Sequence, residues 1–221
     1  MLSECRHLLS SADVYYVGQM TSPRLTSTQL ASAGIGAFFR PRDLEPLDIP
    51  FAELRRLVDA GTIEKVGPGL YRLAGAEPSK FETLAMVASA TPSGIICLLS
   101  ALGFHRIGTQ VPHEVWLALD RKARRPARIP AKLRIVWFSG AMLTYGVETH
   151  PILDVPVRIT SPARTVVDCF RYRTKLGLDV ALEALRDALA SRTATVDQIT
   201  RAAEVCRART VIKPYLEAIV S

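Results

Sequence analysis

The sequence has few of the residues that build disulfide frameworks or metal sites. Its four cysteines, Cys5, Cys97, Cys169 and Cys206, form no C-x-x-C pair, and its four histidines are scattered along the chain. The last three cysteines fall within apolar helical patterns, which predicts buried free thiols. We therefore expect no metal ion, no cofactor and no disulfide-stabilised fold.

Long hydrophobic runs are also missing. The longest apolar stretch, residues 94–104, is broken by Ser100 and is shorter than the about 20 residues of a membrane-spanning helix. Near the N-terminus, Cys5, Arg6 and His7 interrupt the apolar core that a signal peptide would need. Because hydrophobic residues still make up 48% of the chain, we expect a globular cytoplasmic protein without a membrane partner.

Acidic residues are absent from one strongly basic stretch. Residues 1–76 carry eight basic and eight acidic side chains, and residues 77–221 carry twenty and thirteen, so the net charge of +7 comes from the second part. Seven basic residues fall within residues 121–134, hereafter the basic window: Arg121, Lys122, Arg124, Arg125, Arg128, Lys132 and Arg134. Such clustering is typical of phosphate contact with DNA or of contact with an acidic or nucleotide-bearing partner. A solvated hairpin loop between two strands is the structural alternative.

Residues 49–73 predict a helix followed by a tight hairpin. Leu54, Leu57 and Val58 recur on one face of a helical period, and Pro50 suits the first helical turn. Two alternating segments follow and are predicted as strands around a turn: residues 62–66, Gly67-Pro68-Gly69 and residues 70–73. A helix of this kind beside a hairpin is typical of a winged helix-turn-helix, whose recognition helix lies in the major groove of DNA.

Two shorter segments before this unit complete a predicted three-helix arrangement. They cover residues 27–34 and 39–47, and residues 1–20 are predicted to add a further helix. DNA contacts are expected near the start of the second helix, where side chains meet phosphates, and on the exposed face of the third. These candidates are Arg40, Arg42, Ala52, Glu53, Arg55 and Arg56.

After residue 76 the pattern changes to mixed helices and strands. Strands are predicted over residues 114–120, 133–138 and 155–160. Helices are predicted over residues 81–90 and 95–104, from Ser161-Pro162 onward, along Leu178, Leu182, Leu185 and Leu189, after a Thr195/Gln198 capping box, and up to Val220. The expected fold class is therefore α+β. A winged helix-turn-helix domain (residues 1–76) precedes a mixed α/β domain (residues 77–221) in which a small sheet is set among helices.

Three motifs, in this order, resemble the AbiEi family of bacterial antitoxins. They are GLYRL at residues 69–73, SALGFH at residues 100–105 and ITSPARTVVD at residues 159–168. The resemblance runs from about Ser27 to the C-terminus and implies a non-enzymatic antitoxin of a type IV toxin–antitoxin system. It also implies a transcriptional autorepressor that binds inverted repeats of double-stranded DNA in its own promoter. Its toxin would be nucleotidyltransferase-like, and the second domain would serve antitoxicity and cooperative DNA binding.

The same resemblance places the recognition helix at residues 50–59 and the wing at residues 65–72. It adds six residues to the DNA-binding candidates: Pro50, Phe51, Lys65, Pro68, Tyr71 and Arg72. No catalytic residue is implied.

Two features depart from the family pattern. Pro68 occupies the wing tip, where an arginine is common, and Phe51 and Ala52 stand where polar or basic residues usually begin the recognition helix. A good bidentate base contact is worth about 1–3 kcal/mol of discrimination, so missing donors matter. Either the operator is contacted through Arg55, Arg56 and the basic window, or this protein binds DNA weakly.

Two other function classes remain open at this point. Asp120 and Lys122 at a strand end, with Glu114 upstream, mimic part of a metal-dependent nuclease site, which would need a further carboxylate such as Glu82 or Asp154. A ligand-sensing winged-helix repressor would instead need a pocket with converging polar groups.

Overall fold

The computed structural model of the protein describes residues 25–76, 79–127 and 129–220. The helix predicted over residues 1–20 lies outside these ranges, as do Cys5 and Arg128. The described residues form a three-stranded sheet and a five-stranded sheet set among helices, which confirms the α+β prediction.

The N-terminal part is a helical unit with a small antiparallel sheet. Its helices are α1 (Ser27–Ser32), a 3-10 helix (Pro41–Leu47) and α2 (Phe51–Asp59). Its strands, in the spatial order β1-β3-β2, are β1 (Phe38–Phe39), β2 (Ile63–Gly67) and β3 (Leu70–Leu73). Helix α1 begins at a capping box between Thr26 and Gln29, which satisfies backbone N–H groups that have no partner inside the helix.

The second helix of this unit begins later than predicted. Phe38 and Phe39 form strand β1, and the helix starts only at Pro41. The residue before a proline avoids the helical conformation, and Arg40 is accordingly extended (φ −113°, ψ 159°). The predicted start at Phe39 is therefore wrong.

The second sheet has five strands in the spatial order β6-β5-β4-β8-β7. They are β4 (Ile95–Ile96), β5 (Val115–Asp120), β6 (Leu133–Phe138), β7 (Val147–Ile152) and β8 (Val155–Thr160). The helix predicted over residues 95–104 is thus partly wrong, because Ile95 and Ile96 form the central strand and helix α4 covers only Leu98–His105. A short apolar run that is buried on all sides has no periodicity to separate strand from helix.

The connection between β5 and β6 also differs from the expected hairpin. The two strands are parallel, and parallel neighbours need a crossover of about a dozen residues or more, because the chain must return to the starting end of the sheet. This crossover, residues 121–132, lies within the basic window. It therefore runs along the sheet rather than projecting as a hairpin tip.

The remaining helices lie in the second part of the chain. They are α3 (Glu82–Ala90), α5 (Pro162–Arg171), α6 (Arg173–Leu176), α7 (Leu178–Ala190), α8 (Val196–Val205) and α9 (Arg209–Val220). The predicted Thr195 capping box is present. In α7 the predicted apolar stripe is shifted, because Leu178 is exposed while Ala181, Ala184 and Leu185 are buried.

The five-stranded sheet is covered on both faces. One face packs against α5, α7, α8 and α9 and contains the buried thiols of Cys97, Cys169 and Cys206, as predicted. The other face packs against α3 and against the N-terminal unit, so that Phe38 and Leu70 share a core with residues of both α3 and β8.

The turn between β7 and β8 reinforces this junction. The Ala37 backbone N–H donates to the carbonyl oxygen of Leu153 (2.9 Å). A Cβ atom at Gly36 would lie 2.7 Å from the carbonyl oxygen of Asp154, so only glycine allows this close approach. The N-terminal unit is therefore docked on the sheet by backbone contact as well as by apolar packing.

Candidate nucleic-acid interface

Helix α2 presents a solvent-exposed face opposite its buried apolar residues. Leu54 and Leu57 are each only 3% exposed, whereas Phe51 is 73% exposed. Pro50 lies just before the helix in an extended conformation, and Ala52 and Arg55 are exposed. The helix therefore presents its predicted face without competition from the core.

Two charges on this face are already paired. Arg56 Nη1 lies 3.2 Å from Glu53 Oε2, one turn earlier on the helix. A surface pair of this kind contributes little to stability, so it does not prevent Arg56 from moving to DNA. Arg55 has an exposed side chain and stands beside this pair as the stronger candidate for a base contact.

Some residues of the wing are exposed to solvent, and others are packed against the rest of the protein. Lys65 and Pro68 are exposed, so both are available at the surface. Tyr71 is only 7% exposed and stacks on Phe39 with ring centroids 5.9 Å apart. Its expected DNA contact does not fit this conformation, because the alternation of β3 points its ring into the core.

Arg72 is also engaged within the protein. Its Nε lies 3.2 Å from Glu82 Oε1 on α3, and its Nη1 lies 3.8 Å from Glu64 Oε2 on β2. Its Nη2 donates to the carbonyl oxygen of Ala76 (3.1 Å). The side chain thus ties the wing to the second part of the chain, which the sequence alone did not indicate.

The two arginines near the 3-10 helix have different surroundings. Arg42 is exposed and lies 3.7 Å from the Asp43 carboxylate. Arg40 is half-buried, and its Nη1 donates to the carbonyl oxygen of Ala90 at the end of α3 (3.3 Å). Arg42 therefore suits phosphate contact at the surface, and Arg40 belongs to the junction between the wing and the sheet.

The basic window is largely solvent-exposed. The exposed members are Arg121, Lys122, Arg124, Arg125, Lys132 and Arg134. Arg134 is the member held in place: its Nη1 lies 3.4 Å from Glu114 Oε1, and its guanidinium lies 5.3 Å from the Trp116 ring centroid. The predicted patch is thus present at the surface in the described residues.

The wing tip and the basic window meet across one cavity, hereafter the junction pocket. Its volume is about 350 Å³. It is lined by Pro68, Gly69 and Leu70 of the wing, Arg124 to Ala127 and Ile129 of the crossover, Arg40, and Ala90 to Ser93 after α3. The structure therefore joins four sets of residues that are separated in the sequence. Thr91 in this pocket was not predicted, and no sequence motif marks it.

The family motifs of the second part of the chain lie in the interior instead. Ser100 Oγ accepts a hydrogen bond from the Trp116 backbone N–H (2.9 Å). Burial lowers the pKa of His105, so the neutral ring donates from Nε2 to the carbonyl oxygen of Thr160 (2.7 Å). These residues bind α4 to the sheet, which is a structural role.

Arg164 and Asp168 in the third motif form a fully buried ion pair. Arg164 Nε donates to Asp168 Oδ2 (2.8 Å), and neither side chain is exposed. Burial raises the pKa of Asp168 to about 6, although Arg164 opposes the rise. The motif therefore stabilises α5 against the sheet.

The residues of the nuclease alternative do not converge. Glu114 precedes β5 and Asp120 ends it, so a six-residue strand of about 20 Å separates them. Glu82 pairs with Arg72, and Asp154 lies at the β7–β8 turn. His105 and His150 do approach each other, with ring centroids 6.2 Å apart. In the described ranges, however, no three His, Cys, Asp or Glu residues are placed to hold a metal ion.

The structure contains a cleft of the kind that the ligand-sensing alternative requires. A cleft of about 540 Å³ lies between α3, α4 and the segment before β5, with apolar walls that include Phe81, Phe104 and Val111. Lys80 and Arg106 also line it.

None of the helices described is long and apolar enough to cross a membrane.

Three helical segments followed by a two-stranded wing define a winged helix-turn-helix protein. Residues 28–74 match the family described as the AbiEi antitoxin transcriptional regulators. The predicted relationship to this family is thereby confirmed over this segment. No curated protein matches the sequence.

The fold is similar to a solved structure, that of the RV2827C protein from Mycobacterium tuberculosis. The TM-score is 0.55 at 13% sequence identity, over 87% of this chain and 78% of that protein. At this identity the likeness concerns the fold alone. It extends well beyond the winged helix and includes the five-stranded sheet region.

Proposed function

We propose that the protein is the antitoxin of a type IV toxin–antitoxin system and represses its own operon by binding inverted repeats in the promoter. The family match supports the regulator, and the junction of wing and basic window is the single observation that carries the DNA interface. Exposed guanidinium groups of α2 specify the sequence, while the basic window neutralises phosphates beside the wing.

Arg55 is the first residue to test. Arg55→Ala in the full chain is expected to weaken binding to a duplex from the protein's own promoter by about tenfold, the effect of losing one base contact. Arg186→Ala, an exposed arginine on α7, is the matched control. Fluorescence anisotropy with promoter and scrambled duplexes separates the two effects, because Arg55→Ala should reduce the preference between them. Equal affinity of the unaltered protein for both duplexes would refute the proposal.

The antitoxin part requires a separate measurement. We propose that the cognate toxin is a nucleotidyltransferase-like protein encoded beside this gene. Expression of that neighbouring open reading frame alone should arrest growth, and its co-expression with this protein should allow growth. Arg55→Ala should leave this protection intact, because Arg55 lies on helix α2 of the N-terminal part, whereas the family resemblance assigns antitoxicity to the second domain. Arrest that persists when both proteins are present would exclude the antitoxin role for this pair.

A further inference from the structure

The junction pocket is a positively charged cavity built from two parts of the chain. Arg40 comes from the N-terminal unit, and Arg124 and Arg125 come from the crossover between β5 and β6. None of the described residues that line it is acidic. In a concave site with low-dielectric walls, such an excess of one sign attracts an ion of the other sign.

The end of α3 also contributes to the pocket, and its carbonyl groups would disfavour an anion by themselves. Two arginines occupy carbonyl oxygens there. Arg40 Nη1 donates to Ala90 (3.3 Å), and Arg158 Nη1 donates to Ser93 (3.1 Å). The helix end is therefore neutralised by fixed guanidinium groups, and the positive charge of Arg124 and Arg125 remains.

Thr91 supplies the second observation. It is only 9% exposed, it lines the junction pocket, and its hydroxyl Oγ1 has no hydrogen-bond partner among the residues that the structure describes. Buried hydroxyl groups are almost always hydrogen-bonded. A hydroxyl left without a partner beside guanidinium groups fits an anionic oxygen, which accepts hydrogen bonds from both kinds of donor.

We propose that the junction pocket binds a phosphate group, with the Thr91 hydroxyl and the guanidinium groups of Arg124 and Arg125 as donors. Resting on the proposed function, the phosphate belongs to the operator backbone beside the wing. A free nucleotide offers the same chemistry, and the experiment separates the two sources. This site also accounts for Pro68 at the wing tip, because the phosphate contact of that region is supplied by the neighbouring crossover.

Thr91→Val tests the hydroxyl without changing the charge or the shape. Since the hydroxyl has no partner in the free protein, the melting temperature should stay the same or rise. Binding to the promoter duplex should nevertheless weaken by about tenfold, the effect of one hydrogen bond to a charged group. Thr210→Val, at an exposed position on α9, is the matched control and should change neither quantity.

The charges are tested by Arg124→Gln/Arg125→Gln against Arg186→Gln/Arg192→Gln, two exposed arginines elsewhere. The first double variant should reduce the slope of log K against log salt by about 0.9, because the pocket neutralises one phosphate and each neutralised phosphate contributes about 0.9. The loss should be equal for promoter and scrambled duplexes. Thr91→Val should leave the slope unchanged, since threonine carries no charge.

The outcomes distinguish this inference from the proposed function. If the unaltered protein prefers its promoter duplex but Thr91→Val and the Arg124/Arg125 variant bind as their controls do, the phosphate site is refuted and the function stands. If the protein shows no preference for the promoter, titration with ATP in a calorimeter decides the site. Binding that weakens in Thr91→Val relative to Thr210→Val assigns the pocket to a free nucleotide, and unchanged or absent binding refutes it.

Discussion

Arg164→Met removes the central member of a buried polar network. Arg164 Nε donates to Asp168 Oδ2 (2.8 Å), Nη1 to the carbonyl oxygen of Tyr145 (2.7 Å) and Nη2 to that of Met142 (3.3 Å). The guanidinium also lies 5.2 Å from the Phe138 ring centroid. Methionine fills similar space but provides no donor, so the Asp168 carboxylate and two carbonyl groups lose their partner.

The expected loss follows from the burial of the remaining charge. Breaking a buried ion pair by removing one partner costs about 3–5 kcal/mol of the free energy of unfolding. Burial already raises the pKa of Asp168 to about 6 with Arg164 present, and removal of the cation raises it further. In Arg164→Met, protonation of the carboxyl group at lower pH removes the unpaired buried charge. The loss in the free energy of unfolding should therefore be largest near pH 8 and smaller near pH 6.

Urea denaturation followed by far-UV circular dichroism measures this loss. The double variant Arg164→Met/Asp168→Leu removes both charges and should be more stable than Arg164→Met, because no unpaired charge stays buried. If Arg164→Met is within about 1 kcal/mol of the unaltered protein at pH 8, or if the double variant is no more stable than the single one, the ion pair does not have the role assigned to it.

Two further predictions concern stability. The folded-state pKa of Asp168, about 6, lies above its ordinary value of 3.8, so its contribution is fully present below pH 4 and is lost as the pH rises through 6. The free energy of unfolding should therefore fall by about 2–3 kcal/mol between pH 4 and 7. Asp168→Asn should lack this fall when the urea midpoints of both proteins are measured at several pH values. The same pH dependence in both proteins would contradict the prediction. Gly36→Ala should lower the free energy of unfolding by about 1–3 kcal/mol, because its Cβ would meet the Asp154 carbonyl oxygen at 2.7 Å. Gly103→Ala, whose Cβ would have its nearest neighbour at 3.9 Å, should be neutral or stabilising when both variants are compared by urea denaturation. Equal losses of stability in both variants would argue against the close contact at Gly36.

Local periodicity predicted the elements that depend on local contacts. Helix α2 and the β2–β3 hairpin follow from the spacing of Leu54 and Leu57 and from the turn residues around Pro68. Strands β1, β4 and β7 were not predicted. Of these, β1 and β4 have only two residues each and exist through pairing with distant segments. The parallel pairing of β5 and β6 is likewise a property of the whole sheet, and neither strand's sequence records it.

The candidate interface divides in the same way. Exposure of Arg55 and of the basic window followed from helical period and charge clustering. The burial of Tyr71 and the engagement of Arg72 did not, because both depend on partners, Phe39 and Glu82, that lie elsewhere in the chain. Thr91 could not be found from the sequence, since a single threonine gains its meaning only from the pocket around it.

The predicted division at residue 76 leads to a last prediction, because the two proposed domains share one apolar core. Phe38 and Leu70 are 4% and 3% exposed and pack with residues of α3 and β8. Separating the parts would return both side chains to water at a cost of about 1.5–3 kcal/mol each, a large share of a typical domain stability of about 5–15 kcal/mol. We therefore expect the full chain to unfold in a single calorimetric transition and the fragment of residues 1–76 to be largely unfolded at 25 °C by circular dichroism. Two separate transitions, with the isolated fragment melting where the first one occurs, would show that the winged helix is independent of the sheet and that the shared core contributes little.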